Sequence, residues 1–137
     1  SAFLRYCSLH RNTFIHSPQL LLNTLQFKAR PSLFFAGQLV GVEGYTESAA
    51  MGGLAGINAA RALTEQPLIT PPPTTAHGCL VSHVASSDPR HFQPMNTNFG
   101  LFPPLANSPR DKEKKRRALS QRALEDFDVW KTQSRLS

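Results

Sequence analysis

The sequence predicts an α/β fold, incomplete as it stands, in which a short strand passes through a glycine-rich turn into a long helix and further helices follow. Three observations carry this reading. Leu33, Phe34, Phe35 and Ala36 form a continuous apolar run behind Pro31, the pattern of a buried strand in a parallel sheet. Gly37 ends the run, and Gly41 and Gly44 punctuate the loop after it. From Thr46 or Glu47 to about Leu63 the chain is rich in alanine and reads as a helix, with Thr46 placed to accept its first free amides. Incompleteness is read from the clustering of glycine and proline in 37–56 and 67–73, where a small domain would need compensating contacts.

Taken in order, residues 1–10 read as extended, with Phe3, Leu4, Tyr6 and Leu9 broken by polar positions, and a polar turn follows at Arg11 to Thr13. Ser17 and Pro18 begin a short helical turn through Leu20, Leu21 and Leu22, because proline fits the first helical position. The predicted alanine-rich helix contains Gly52, Gly53 and Gly56, each costing about 0.5 to 1 kcal/mol relative to alanine. Close approach of that helix backbone to a sheet or a ligand is the expected return. Pro67, Pro71, Pro72 and Pro73 force an extended connection, after which Thr74 or Thr75 caps a second helix to about Ser86, with Leu80, Val81 and Val84 on its apolar side. Phe92 to Leu105 has no clear period but carries Met95, Phe99, Leu101 and Phe102, so it is expected to cross another part of the protein. Ser108, Pro109 and Asp111 signal a last helix running to about Val129, with Leu119, Ala123 and Phe127 on one face and Leu124 flanking them. The expected divisions are therefore 1–66, 67–108 and 109–137.

Apolar residues make up 40% of the chain and charged residues 18%, an ordinary globular balance that excludes a disordered chain. No apolar run approaches the ~20 residues that cross a bilayer, so membrane insertion is not expected. Cys7 and Cys79 match neither a CxxC pair nor a zinc spacing; two free thiols in a reducing compartment, and no metal site, is the reading. The net charge is +6, and residues 109–137 hold nine Lys and Arg against five Asp and Glu. Lys112, Lys114, Lys115, Arg116 and Arg117 supply most of the excess, which suits a solvated helix face and a nucleic-acid contact equally well.

A strand, a glycine-rich loop and a helix start together make a cradle for an anion or cofactor, since free amides and the helix field favour negative charge. Here the loop is Gly37-Gln38-Leu39-Val40-Gly41-Val42-Glu43-Gly44-Tyr45, which is neither GxGxxG nor a phosphate loop, so pattern alone names no cofactor. The longer stretch from Phe35 to Ala50 resembles the second flavin-binding motif of the bacterial folate- and FAD-dependent tRNA (uracil-5-)-methyltransferases. His10 to Ile15, Pro72 to Ala76 and Phe92 to Leu101 resemble further stretches of that family, in the same order. The enzymes that place a carboxymethylaminomethyl group on wobble uridine are related, but usually carry Thr-Thr-Gly-Tyr-Glu-Glu where this chain has Val42 to Glu47.

The resemblance implies the C-terminal part of a Rossmann-like FAD-binding domain followed by helices. Residues 1–66 would supply its flavin and folate side, 67–108 would complete it, and 109–137 would be a basic C-terminal helix. It implies FAD and methylenetetrahydrofolate as cofactors, tRNA as partner, 5-methyluridine in the T loop as product, and the cytoplasm of a bacterium or the interior of an organelle as location. By that likeness Gly37, Gln38, Gly41, Glu43, Gly44, Tyr45, Glu47 and Ser48 lie against the flavin, while His10 stacks on the folate pterin with Arg11 and Asn12 in polar contact. An interior or capping histidine is the plainer alternative for His10. Two departures matter. His16 stands where the family usually has asparagine, and the family's GxGxxG element and reactive cysteines match nothing in this chain, so no catalytic residue is assigned. The isolated chain is expected to be inactive, partnered by the missing N-terminal part of the same protein or by a larger assembly. A truncated, non-catalytic relative serving as a structural or RNA-associated subunit is the alternative.

Overall fold

The computed structural model describes residues 14–135. Within them the architecture is mixed α/β. A four-residue helix α1 (Ser17–Leu20) leads into a hairpin of β1 (Gln26–Phe27) and β2 (Arg30–Phe34), and a 3-10 turn (Gly37–Val40) connects this to α2 (Tyr45–Leu63). Next come α3 (Ala76–Ser86), a second 3-10 turn (Phe99–Leu101) and α4 (Lys112–Gln133). The expectations for residues 1–13, including Cys7, lie outside the described residues.

The sheet differs from expectation. Instead of a buried strand of a parallel sheet at 33–36, the chain makes an antiparallel pair with an irregular register between Gln26 and Phe27. β2 is exposed over its first four residues, whereas Phe35 and Ala36 lie beyond it and pack on the core. The apolar run is thus split: its first half forms an open hairpin strand and its second half leaves the hairpin to reach the core. A two-stranded sheet covers neither of its own faces, so burial has to come from elsewhere.

The core gathers Leu21, Leu25, Val40, Val42, Met51, Leu54, Leu80, Val81, Val84 and Phe92. α2 contributes one stripe through Met51, Leu54, Ala55 and Asn58, and α3 contributes Leu80, Val81 and Val84, as its sequence predicted. Asn58 is fully buried and makes three bonds with backbone: its amide donates to the carbonyls of Thr24 (3.1 Å) and Ile69 (2.9 Å), and its Oδ1 accepts from Ile69 N (2.8 Å). This ties the hairpin approach and the proline-rich connection to α2. α3 begins as predicted, with Thr75 Oγ1 accepting from Gly78 N at 3.0 Å.

The expected close approach at Gly52, Gly53 and Gly56 is absent from the described residues: a β-carbon at any of the three would meet no atom within 4 Å. The close approach lies at Gly78 instead, where a β-carbon would overlap the carbonyl of Pro72. α4 also starts later than predicted. Asp111, not Ser108, is its N-cap, accepting from Glu113 N at 3.2 Å, and the helix continues to Gln133, four residues past the expected end. Leu119 is its buried residue. Otherwise α4 docks through Thr74 bonded to Asp126, the His77 and Phe127 rings stacked at 5.1 Å, and Arg122 donating to the carbonyls of Pro103 (2.5 Å) and Pro104 (3.1 Å).

Phe92 begins the segment that crosses the glycine loop, as its apolar content predicted. Met95 N donates to Gly41 O (3.0 Å) and Glu43 N donates to Met95 O (2.9 Å), while the Phe92 ring occupies the space above Gly41 where a β-carbon would stand. A β-carbon at Gly41 would sit 2.5 Å from Phe92 Cζ, on a backbone whose φ is +95°. Gly41→Ala is therefore expected to destabilise the chain by about 2 to 4 kcal/mol, combining left-handed strain with overpacking. Gly41→Ala/Phe92→Leu should recover part of that loss in urea denaturation, and equal midpoints for Gly41→Ala and wild type would refute the contact.

Candidate functional site

The glycine loop delivers the chain into α2 at a sharp angle. Gly44 is the N-cap residue with φ +90° and ψ 145°, a conformation closed to residues with a β-carbon, so the helix starts at Tyr45 and Thr46 lies inside it rather than capping it. Among the described residues no side chain caps the helix start. Ser48 N makes the first helical bond, to Gly44 O at 3.1 Å, and the amides before it have no acceptor within the helix. Tyr45 projects into solvent with 97% of its surface exposed. The Glu47 carboxylate folds back over the Cα of Gly44, where a side chain would collide with it.

The other predicted residues gather at this end. Gly37 opens the 3-10 turn, and a β-carbon there would touch Ser48 Cβ at 3.6 Å. Gln38 is exposed on the same turn, and Gly41 closes it in the left-handed conformation. Glu43 is exposed, its amide bound to Met95. Ser48 Oγ reaches Val42 O at 3.5 Å. Gly37, Gln38, Gly41, Glu43, Gly44, Tyr45, Glu47 and Ser48 therefore share one turn and one helix end. His10, Arg11 and Asn12 lie outside the described residues. Among the described residues the His16 ring meets Phe92 edge-on, with the centroids 6.3 Å apart.

Beside the helix start is a hollow of about 320 Å³ lined by Thr46, Glu47, Ala50, Ala76, His77, Leu80 and Thr97. Sequence reasoning did not select His77 or Thr97, although both lie within or beside stretches singled out for other reasons. Their arrival at one hollow depends on α3 packing against α2, which no spacing in the sequence states. Burial holds the His77 imidazole below its ordinary pKa, so it favours the neutral form, with a ring nitrogen able to accept a hydrogen bond. Cys79 faces away from such chemistry. It is buried, its thiol donates to Ala76 O at 3.1 Å, and burial pushes its pKa from an ordinary 9.0 up to about 11. Among the described residues no helix is long and apolar enough to cross a membrane.

The hairpin, the glycine turn and the start of α2 all fall within residues 1–67, the stretch that matches a family model described as glucose inhibited division protein A. Curated relatives narrow this. The chain is 56% identical over 128 residues to the methylenetetrahydrofolate--tRNA-(uracil-5-)-methyltransferase TrmFO of Geotalea uraniireducens, covering 93% of this chain and 29% of that protein. It is 54% identical to the proteins of the same name from Pelotomaculum thermopropionicum, over 94% of this chain and 30% of the relative, and from Anoxybacillus flavithermus, over 89% and 28%. Over nearly its whole length the chain matches proteins of this methyltransferase family, and it spans about 29% of the length of the relatives it matches.

Cys79 gives a direct check on the geometry. In a Cys7→Ser background, iodoacetamide at pH 7.5 should leave Cys79 unlabelled in the folded chain and label it fully in urea. Because the folded thiol holds its proton more tightly than the unfolded one, its contribution to stability should be complete below about pH 9 and lost as pH rises toward about 11. Rapid native labelling would contradict the burial.

Proposed function

We propose that this chain supplies the flavin-ring and folate side of an enzyme that forms 5-methyluridine in the T loop of tRNA, using methylenetetrahydrofolate as one-carbon donor and FAD as electron carrier. The observation that carries the reading is the uncapped start of α2 behind Gly41 and Gly44, in a chain of this family. The free amides around Gly44 to Glu47 fit the electron-rich pyrimidine edge of a flavin, because each can donate a hydrogen bond and the helix field favours negative charge there. Bound flavin and folate would supply the redox and one-carbon chemistry.

The residues of this chain hold and orient. Gly37, Gly41 and Gly44 keep side chains out of the approach, and Gln38, Glu43, Tyr45, Glu47 and Ser48 surround it with polar groups. His10 would lie flat on the folate pterin, with Arg11 and Asn12 in polar contact. The neutral His77 would border the space into which a uracil must come. On this reading residues 1–66 are the cofactor side of a Rossmann-like FAD domain, 67–108 complete it, and 109–137 form a basic helix facing tRNA. The remaining contacts to FAD come from outside the chain, in a bacterial cytoplasm or an organelle interior.

Two measurements test this. The 137-residue chain alone is expected neither to retain FAD nor to methylate tRNA, because half a cleft leaves much of the cofactor unheld; tight FAD binding by the purified chain, seen as a shift in flavin absorbance, would refute it. In the complete protein, Gly44→Val should lower FAD affinity by at least about tenfold, equivalent to ~1.4 kcal/mol. Full flavin occupancy in that variant would place the cofactor elsewhere.

A further inference from the structure

A second groove, of about 850 Å³, runs between α4 and the turn at 98–102, with Phe99, Phe102, Arg116, Ser120 and Leu124 among its lining. It shares Ala76 and Thr97 with the hollow at the start of α2, so the two are contiguous. The Phe99 and Phe102 rings lie 5.9 Å apart, and Phe99 keeps 41% of its surface exposed. Over Phe99, at 5.6 Å from the ring centroid, stands the Arg116 guanidinium. Arg117 next to it is bonded to Glu113 at 2.8 Å, but no carboxylate pairs Arg116 among the described residues.

An exposed ring under an unpaired guanidinium is the equipment that binds an unstacked nucleotide: the base lies on the ring face and the cation moves to the phosphate. The charge along α4 gives this a direction. Lys112, Lys114, Lys115 and Arg116 crowd its first two turns, where Glu113 is paired with Arg117, while Glu125 and Asp128 border an adjoining hollow that shares Phe99 and Arg116 with the groove and repel a phosphate backbone from that end. We propose that the groove is a subsite for one unpaired tRNA nucleotide next to the target uridine, its base stacked on Phe99 and its phosphate held by Arg116, with the uridine passing on into the α2 hollow. This rests on the tRNA reading above and adds the residues that grip the neighbouring nucleotide.

The test uses the complete protein and steady-state methylation of a tRNA transcript, together with transcripts carrying a single abasic site at each position flanking the target. Phe99→Leu should raise the KM for tRNA by roughly tenfold while leaving the KM for methylenetetrahydrofolate unchanged, and Phe99→Trp should restore it. One abasic position should cost the wild type a similar factor and cost Phe99→Leu nothing further, since base and ring act as one pair. Arg116→Gln, on an exposed side chain, should flatten the salt dependence of tRNA affinity by about one phosphate contact. A rise in the folate KM alone would assign the groove to the folate tail and overturn the proposal. Equal abasic penalties in wild type and Phe99→Leu would also overturn it while leaving the methyltransferase reading intact. A complete protein that methylates no tRNA would remove both.

Discussion

The contact on which the arrangement depends is that between Gly41 and the ring of Phe92. The loop can turn toward α2 only because residue 41 adopts a left-handed conformation and leaves its β-carbon position to an aromatic ring from fifty-one residues later. That ring is itself fixed on other sides, by Phe14 edge-on at 6.0 Å and by His83 at 5.2 Å. Main-chain bonds from Met95 to Gly41 and from Glu43 to Met95 then hold the crossing segment against the loop. Four residues past Met95 the same segment enters the turn (Phe99–Leu101) that lines the groove beside α4. One glycine-aromatic contact thereby sets the spacing between the helix start proposed to meet flavin and the groove proposed to meet RNA.

At the start of α2 backbone conformation, rather than side-chain chemistry, decides how the helix begins. A capping hydroxyl at position 44 would satisfy the free amides internally, but the left-handed backbone there selects glycine, which has nothing to offer them. Within the described residues the helix start is left without a side-chain cap. Tyr45, Thr46 and Glu47 follow in helical geometry, and His77 and Thr97 close the adjoining hollow from two other elements. Local sequence makes the cradle, and distant segments make its wall.

Other surfaces remain open within the described residues. The outer face of β2 and the Gly52, Gly53 and Gly56 side of α2 have no neighbour there, and Leu63 is 86% exposed. Helical glycines cost stability whatever they face, so the cost is present in this chain without the packing that sequence reasoning supplied for it. By contrast, α4 is held by side-chain bonds to carbonyls and carboxylates and by ring stacking more than by apolar burial, with Leu119 as its single buried residue. A helix held in that way leaves its charged first turns exposed.

What the sequence determined by itself was local. Pro18, Thr75 and the alanine-rich run placed α1, α3 and the body of α2, since caps, proline geometry and helix propensity act within a few residues. The glycine-rich loop and its residues from Gly37 to Ser48 were legible for the same reason, as was the family, through ordered motifs. The tertiary structure decided whatever required two distant segments to meet: that the run at 33–36 splits between an exposed antiparallel strand and the core, that the glycine in close contact is Gly78 and not the three in α2, that His77 and Thr97 reach the α2 hollow, and that Phe92 fills the space above Gly41. Each of these turns on which surface lies opposite, and a one-dimensional pattern records the period of a surface without recording what covers it.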